Sequence, residues 1–189
     1  DLNIKNEDFV ISYVGSIGSW YMLDEMLDFF IILKAKDKKS KFLFITKDDP
    51  LIITEKSRAK GINENDLIIQ PSSREMMPSY IAASNFSIFF ILPVFSKKAS
   101  SPTKMGEIMN LGIPVICNSG VGDVDEIMNQ CTPELLIKEF SKNEYLRVID
   151  LITNNYAADK AKIKDTSHKY YSLDKGVEKY KEIYKNILD

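Results

Sequence analysis

Hydrophobic positions change period several times along this chain, and each change marks an element. A β-rich run, Phe9-Val10-Ile11-Ser12-Tyr13-Val14, leads into Gly15-Ser16-Ile17-Gly18. Residues 21–36 then place Met22, Met26, Phe29, Phe30 and Leu33 at helical spacing. Residues 41–46 form an apolar strand, 52–60 a helix stopped by Gly61, and 66–70 a third strand. Residues 73–83 read as helix. The continuous apolar run 86–92 suits a central strand buried on both faces. A short helix closed by Gly112, the strand Val115-Ile116-Cys117, a helix over 121–129 and an edge strand over 134–137 follow. From Lys142 the pattern is helical, with polar breaks near Asn154 and Ser172. Residues 174–188 set Val177, Tyr180, Ile183, Tyr184, Ile187 and Leu188 on one face, which predicts packing against the domain. Alternating strands and crossover helices predict an α/β fold: a parallel sheet with helices on both faces and a C-terminal helical extension.

Ligands of such sheets bind beyond the carboxyl ends of the strands, where three candidate elements gather. The first is Gly15-Ser16-Ile17-Gly18, the second Thr46-Lys47-Asp48, and the third residues 96–103. In the third, Pro102 suits the first turn of the following helix, and Ser100 and Ser101 are positioned to cap its free amides. Those amides, continuing through Thr103, and the helix dipole favour an anion. Lys104 and Glu107, three apart, put a cation and an acceptor on one helix face. Backbone groups of Gln70-Pro71-Ser72 form a nucleobase candidate. Met76-Met77-Pro78 and Tyr80 read as core, and Lys97-Lys98 as a solvated charge pair. Gly-x-x-Gly lacks the third glycine of a dinucleotide fingerprint, and no Gly-Lys-Ser or Gly-Lys-Thr occurs, so neither a nicotinamide enzyme nor a Walker-type site is expected.

Composition narrows the picture further. At 189 residues and 44% hydrophobic content the chain can bury one sizeable core, which predicts a single domain over 1–189. A net charge of −2 gives no reason to expect nucleic acid as partner. No apolar run approaches a membrane span, and the polar start is unlike a signal peptide. Cys117 and Cys131 read as reduced thiols, which predicts a cytoplasmic protein. With His168 the only histidine, no metal site is expected.

The run Glu107-Ile108-Met109-Asn110-Leu111-Gly112-Ile113-Pro114-Val115 resembles the donor-site motif of glycosyltransferase family 4, also called group 1. The resemblance extends from Tyr13-Val14-Gly15 to near Leu188. It implies the C-terminal, Rossmann-like, donor-binding half of a two-domain GT-B enzyme whose N-terminal acceptor domain is absent here. Alone, this half is expected to be inactive, and its catalytic residues are unassigned. By resemblance Glu107 holds the ribose; the residues themselves make Lys104, Thr103, Ser101 and Ser100 candidates for the donor phosphates and Gly15, Ser16, Gly18 and Lys47 further donor-binding candidates. The implied reaction is retaining transfer of a hexosyl group from a nucleoside diphosphate sugar, UDP or GDP type, to a carbohydrate or lipid-linked acceptor. No cofactor or metal is implied, and peripheral membrane association is left open for a full-length protein.

Two departures stand out against that family. Where it commonly has a second glutamate, eight residues before the ribose-binding one, this chain has Ala99. Where it carries an arginine and a lysine after the first strand, Ser16, Ile17, Ser19 and Trp20 stand here, so Lys104, Lys47 or Arg74 would have to neutralise the diphosphate. Pro102, Lys104 and Glu107 match a Pro-x-Lys-x-x-Glu branch of the motif. The alternatives are a non-catalytic interaction module that keeps the fold and half of a nucleotide-sugar epimerase.

Overall fold

The computed structural model describes residues 2–188. Its six-stranded sheet is parallel throughout, in the order β3-β2-β1-β4-β5-β6. The strands are β1 Phe9–Val14, β2 Ser40–Ile45, β3 Leu67–Gln70, β4 Phe86–Phe89, β5 Val115–Asn118 and β6 Leu136–Ile137. Order reverses between β1 and β4, which opens a crevice at their carboxyl ends. The helices are α1 Leu23–Lys36, α2 Pro50–Ala59, α3 Met77–Ile81, α4 Thr103–Asn110, α5 Val124–Cys131, α6 Lys142–Thr153, α7 Lys160–Tyr171 and α8 Leu173–Leu188. Helix α1 packs with α2 and α6, and α4 and α5 pack with α7. With right-handed crossovers on either side of the reversal, these two groups cover opposite faces.

Strands buried on both faces explain the apolar runs. Phe42 and Phe44 are fully buried, their ring centroids 4.0 Å apart, with Phe30 of α1 against Phe42. Phe29 and Tyr145 meet edge to face, which joins α1 to α6 above Phe90. On the other face Met105, Ile108 and Met109 of α4 join Val124, Ile127 and Met128 of α5 in the core.

Several expectations are corrected. The strand over 86–92 stops at Phe89, because Ile91 instead pairs antiparallel with Tyr21, and Leu92 is exposed. Buried Asn118 fills the gap: its Oδ1 accepts from the Ile91 N–H at 2.8 Å and its Nδ2 donates to the Ile91 carbonyl at 2.9 Å. The helix over 73–83 shortens to five residues, since Pro78 fits only a first turn. Met76 and Pro78 are exposed, so only Met77 and Tyr80 of the expected core cluster pack against the core, both partly buried. In α8 none of the residues is buried: Tyr180 is 67% exposed and Ile187 71%, and the expected packing of its apolar face does not occur.

Candidate functional site

At the carboxyl ends of the strands, a groove of about 520 Å³ runs between α3 and α4. Its polar walls carry Lys47, Ser72, Arg74, Lys104, Glu107 and Asn110 over an apolar floor that includes Met77. A smaller hollow of about 220 Å³, lined by Gly15, Ser16, Thr46, Lys47 and Asp48, opens beside it and shares Lys47, Ser72 and Met77. Gly15 and Ser16, Lys47, and Lys104 and Glu107 of α4 thus come together from separate segments, because all follow strands whose carboxyl ends face one way, while no residue of 96–103 lines either hollow. A larger cleft of about 950 Å³ lies at the amino ends of the strands, beside Phe9, Asn85 and Ile113, and holds none of these residues.

Helix α4 presents Lys104 and Glu107 as their spacing predicts. The Lys104 ammonium lies 2.8 Å from the Glu107 carboxylate, with side chains 36% and 49% exposed. An exposed i,i+3 pair contributes little stability, so exchanging it for ligand contacts costs little. Lys47 and Arg74 make no salt bridge among the described residues. The groove therefore holds three cations and one carboxylate that faces them, an arrangement suited to a multiply charged anion carrying hydroxyls.

The start of α4 differs from expectation. Pro102 takes the cap position itself, and no side chain caps the helix. Ser101 turns away, its hydroxyl donating to the Asp123 carboxylate at 2.8 Å. Ser100 acts through its backbone: Gly122, at φ +45°, lies directly against the Ser100 carbonyl, and the Gly122 N–H donates to the Lys97 carbonyl at 2.9 Å. The turn at Gly122 braces the segment that feeds α4, whose first amides are uncapped by side chains.

Other candidates spread out. Thr103 stands on the far side of Glu107, in a separate cleft of about 490 Å³ with His168 and Tyr171. Gly18 lies outside both grooves, as do Gln70, whose side chain bonds the Pro71 carbonyl, and Pro71. Of that loop only Ser72 reaches the groove. Asn110 was not singled out from sequence, although its place one turn after Glu107 on the same face was a readable signal. Trp20, 46% exposed, lies under the Lys97 ammonium at 4.3 Å, and Phe95 is 87% exposed, so the segment between β4 and α4 carries uncovered aromatic surface.

Among the described residues no group of three His, Cys, Asp or Glu is placed to hold a metal, and no helix is long and apolar enough to cross a membrane. Neither Cys117 nor Cys131 forms a disulfide, and burial pushes both thiols up in pKa.

Comparison with known proteins gives a consistent result. A family model described as glycosyl transferases group 1 matches residues 1–169. No curated protein matches the sequence. Among solved structures, a mutant of S. aureus TarM in complex with fondaparinux, alpha-GlcNAc-glycerol and UDP superimposes with a TM-score of 0.74 at 14% identity, covering 96% of this chain and 37% of that one. The pneumococcal O-GlcNAc transferase GtfA, in complex with UDP and GlcNAc, gives 0.72 at 12% identity, covering 100% and 37%. WaaG, a glycosyltransferase involved in lipopolysaccharide biosynthesis, gives 0.68 at 16%, covering 90% and 45%. The chain thus spans less than half the length of each of these structures.

Proposed function

Because this chain belongs to the glycosyl transferases group 1 family, we propose that it is the donor-binding domain of a retaining glycosyltransferase. It would take a hexosyl group from a nucleoside diphosphate sugar, UDP or GDP type, and pass it to a carbohydrate or lipid-linked acceptor presented by a separate N-terminal domain. The observation that carries this reading is the groove between α3 and α4 that joins Lys47, Arg74 and Lys104 to Glu107. In the proposed complex Glu107 accepts hydrogen bonds from the ribose hydroxyls, and the three cations face the diphosphate. Negative charge grows on the leaving diphosphate as the glycosidic bond breaks. Fixed cations there favour the transition state over the ground state, and so accelerate the reaction. Ala99 offers no polar contact to the sugar, which leaves its hydroxyls to groups of the acceptor domain or to the braced 97–103 backbone.

Calorimetric titration with UDP, GDP, ADP and their sugar conjugates tests the reading. Selective binding is expected, weakened about tenfold or more by Glu107→Ala and by Lys104→Ala, as the loss of a charged hydrogen bond predicts. Absence of any nucleotide binding at millimolar concentration would overturn it.

A further inference from the structure

The loop after β1 has the construction of an anion site, but a side chain already fills it. Its base is fixed: the Gly15 N–H donates to the Ile45 carbonyl at 3.1 Å, and the buried Tyr13 hydroxyl donates to the Ser16 carbonyl at 2.6 Å. Above that base, the Ser16 hydroxyl and the Ile17 N–H converge on one point at the crevice, where nucleotide-binding folds receive a phosphate. Here that point holds the carboxylate of Asp48. Ser16 Oγ donates to it at 2.9 and 3.1 Å, and Ile17 N–H donates to Oδ2. Asp48 is itself held in place, its N–H donating to the hydroxyl of buried Thr46 at 3.1 Å.

A carboxylate satisfies those donors but keeps its negative charge, and a phosphate brought beside it would be repelled. The neighbouring groove offers the opposite environment, with Lys47, Arg74 and Lys104 on its walls. Given the donor-site reading above, we propose that Asp48 determines where the donor's diphosphate sits: it occupies the anion position of the first loop and directs the phosphates to the Lys47–Arg74–Lys104 wall. The absence of arginine or lysine after β1 then has a physical sense. No cation is needed at Ser16–Trp20 when the anion there belongs to the protein, and the cations stand across the groove instead.

Asp48→Asn separates charge from hydrogen bonding, because the carboxamide oxygen still accepts from the Ile17 N–H. The chain, Asp48→Asn, Asp48→Ala, Arg74→Ala and the Asp48→Asn/Arg74→Ala double variant are titrated with UDP, GDP, uridine and guanosine, with thermal unfolding followed in parallel. The expected result is three- to tenfold tighter diphosphate binding by Asp48→Asn, at unchanged melting temperature and unchanged nucleoside affinity. Arg74→Ala should cost about tenfold in the parent chain and much less beside Asp48→Asn, because the phosphates can then use the first loop. Diphosphate binding equal to or weaker than the parent's in both Asp48 variants, with Arg74→Ala costing the same in either background, would overturn the proposal and reduce Asp48 to a loop brace. Folded variants and a folded parent that all fail to bind UDP and GDP would overturn the donor-site reading, and this proposal with it.

Discussion

At the scale of single residues, backbone positions do as much as side chains. The tight approach of Gly122 to the Ser100 carbonyl joins positions twenty-two apart and has no local sequence signal. The same holds for Ser101. Its place before Pro102 argues for a helix cap, yet the Asp123 carboxylate takes the hydroxyl because the tertiary fold brings a stronger, charged acceptor within 2.8 Å. Lys104 and Glu107 were readable because both their spacing and their chemistry are local to one helix. A Cβ on Gly122 would lie 1.5 Å from the Ser100 oxygen, on a backbone with positive φ. Gly122→Ala is therefore expected to shift residues 97–103, to cost roughly 2–4 kcal/mol from strain and overpacking combined, and to weaken nucleotide binding. Urea unfolding and nucleotide titration of the variant check both effects; unchanged stability would mean that the two loops separate freely.

At the scale of elements, strands β1, β2, β3 and β5 fall within a residue of their expected bounds, and the misreadings lie where local signals compete, as at Pro78 and at the sheet edge. Strand β1 occupies the expected residues, whereas the edge strand expected over 134–137 shrinks to Leu136–Ile137 behind a 3-10 turn at Pro133–Leu135. Two residues of strand survive there because α6 supports them. Arg147 donates to the Glu134 and Leu136 carbonyls at 2.7 and 2.9 Å, and Glu144, which pairs with Arg147, accepts from the Lys138 N–H. Hydrogen bonds from Arg147, helped by the Lys138 N–H, hold the Glu144 carboxyl below its ordinary pKa against the opposing effect of burial. A group depressed on folding stabilises fully above its unfolded value, about 4.3 for glutamate, and that contribution is lost as pH falls through the lower folded value. Arg147→Ala should cost roughly 1–3 kcal/mol near neutrality. The gap between parent and variant should narrow below about pH 4, while the carbonyl bonds keep it from closing. Denaturation curves collected from pH 7 to pH 3 measure that gap directly, and a gap independent of pH would remove Glu144 from the brace.

For the whole molecule, the change of period from strands to helices was enough to give the parallel sheet and its two helical layers, because right-handed crossovers leave few other arrangements. It was not enough to place α8. Periodicity puts Val177, Tyr180, Ile183, Tyr184, Ile187 and Leu188 on one face, but says nothing of what covers that face. The structure leaves it uncovered: Tyr184 is 61% exposed and Leu188 82%, and the family match ends at residue 169, before α8 begins. The core that carries the groove between α3 and α4 is closed by α7, where Ile163 is buried and the Ser167 hydroxyl donates to the Gly106 carbonyl at 2.8 Å. Stability of the folded unit should then be independent of α8. A chain ending at Ser172 is expected to melt within about 2 °C of the parent, since it gives up no buried side chain, and to keep its nucleotide affinity. It should also lose any self-association driven by the exposed stripe, which analytical ultracentrifugation over a concentration series would register. A drop of more than about 5 °C would correspond to roughly 1–2.5 kcal/mol for a domain of this size, and would show that α8 packs on the sheet in solution after all.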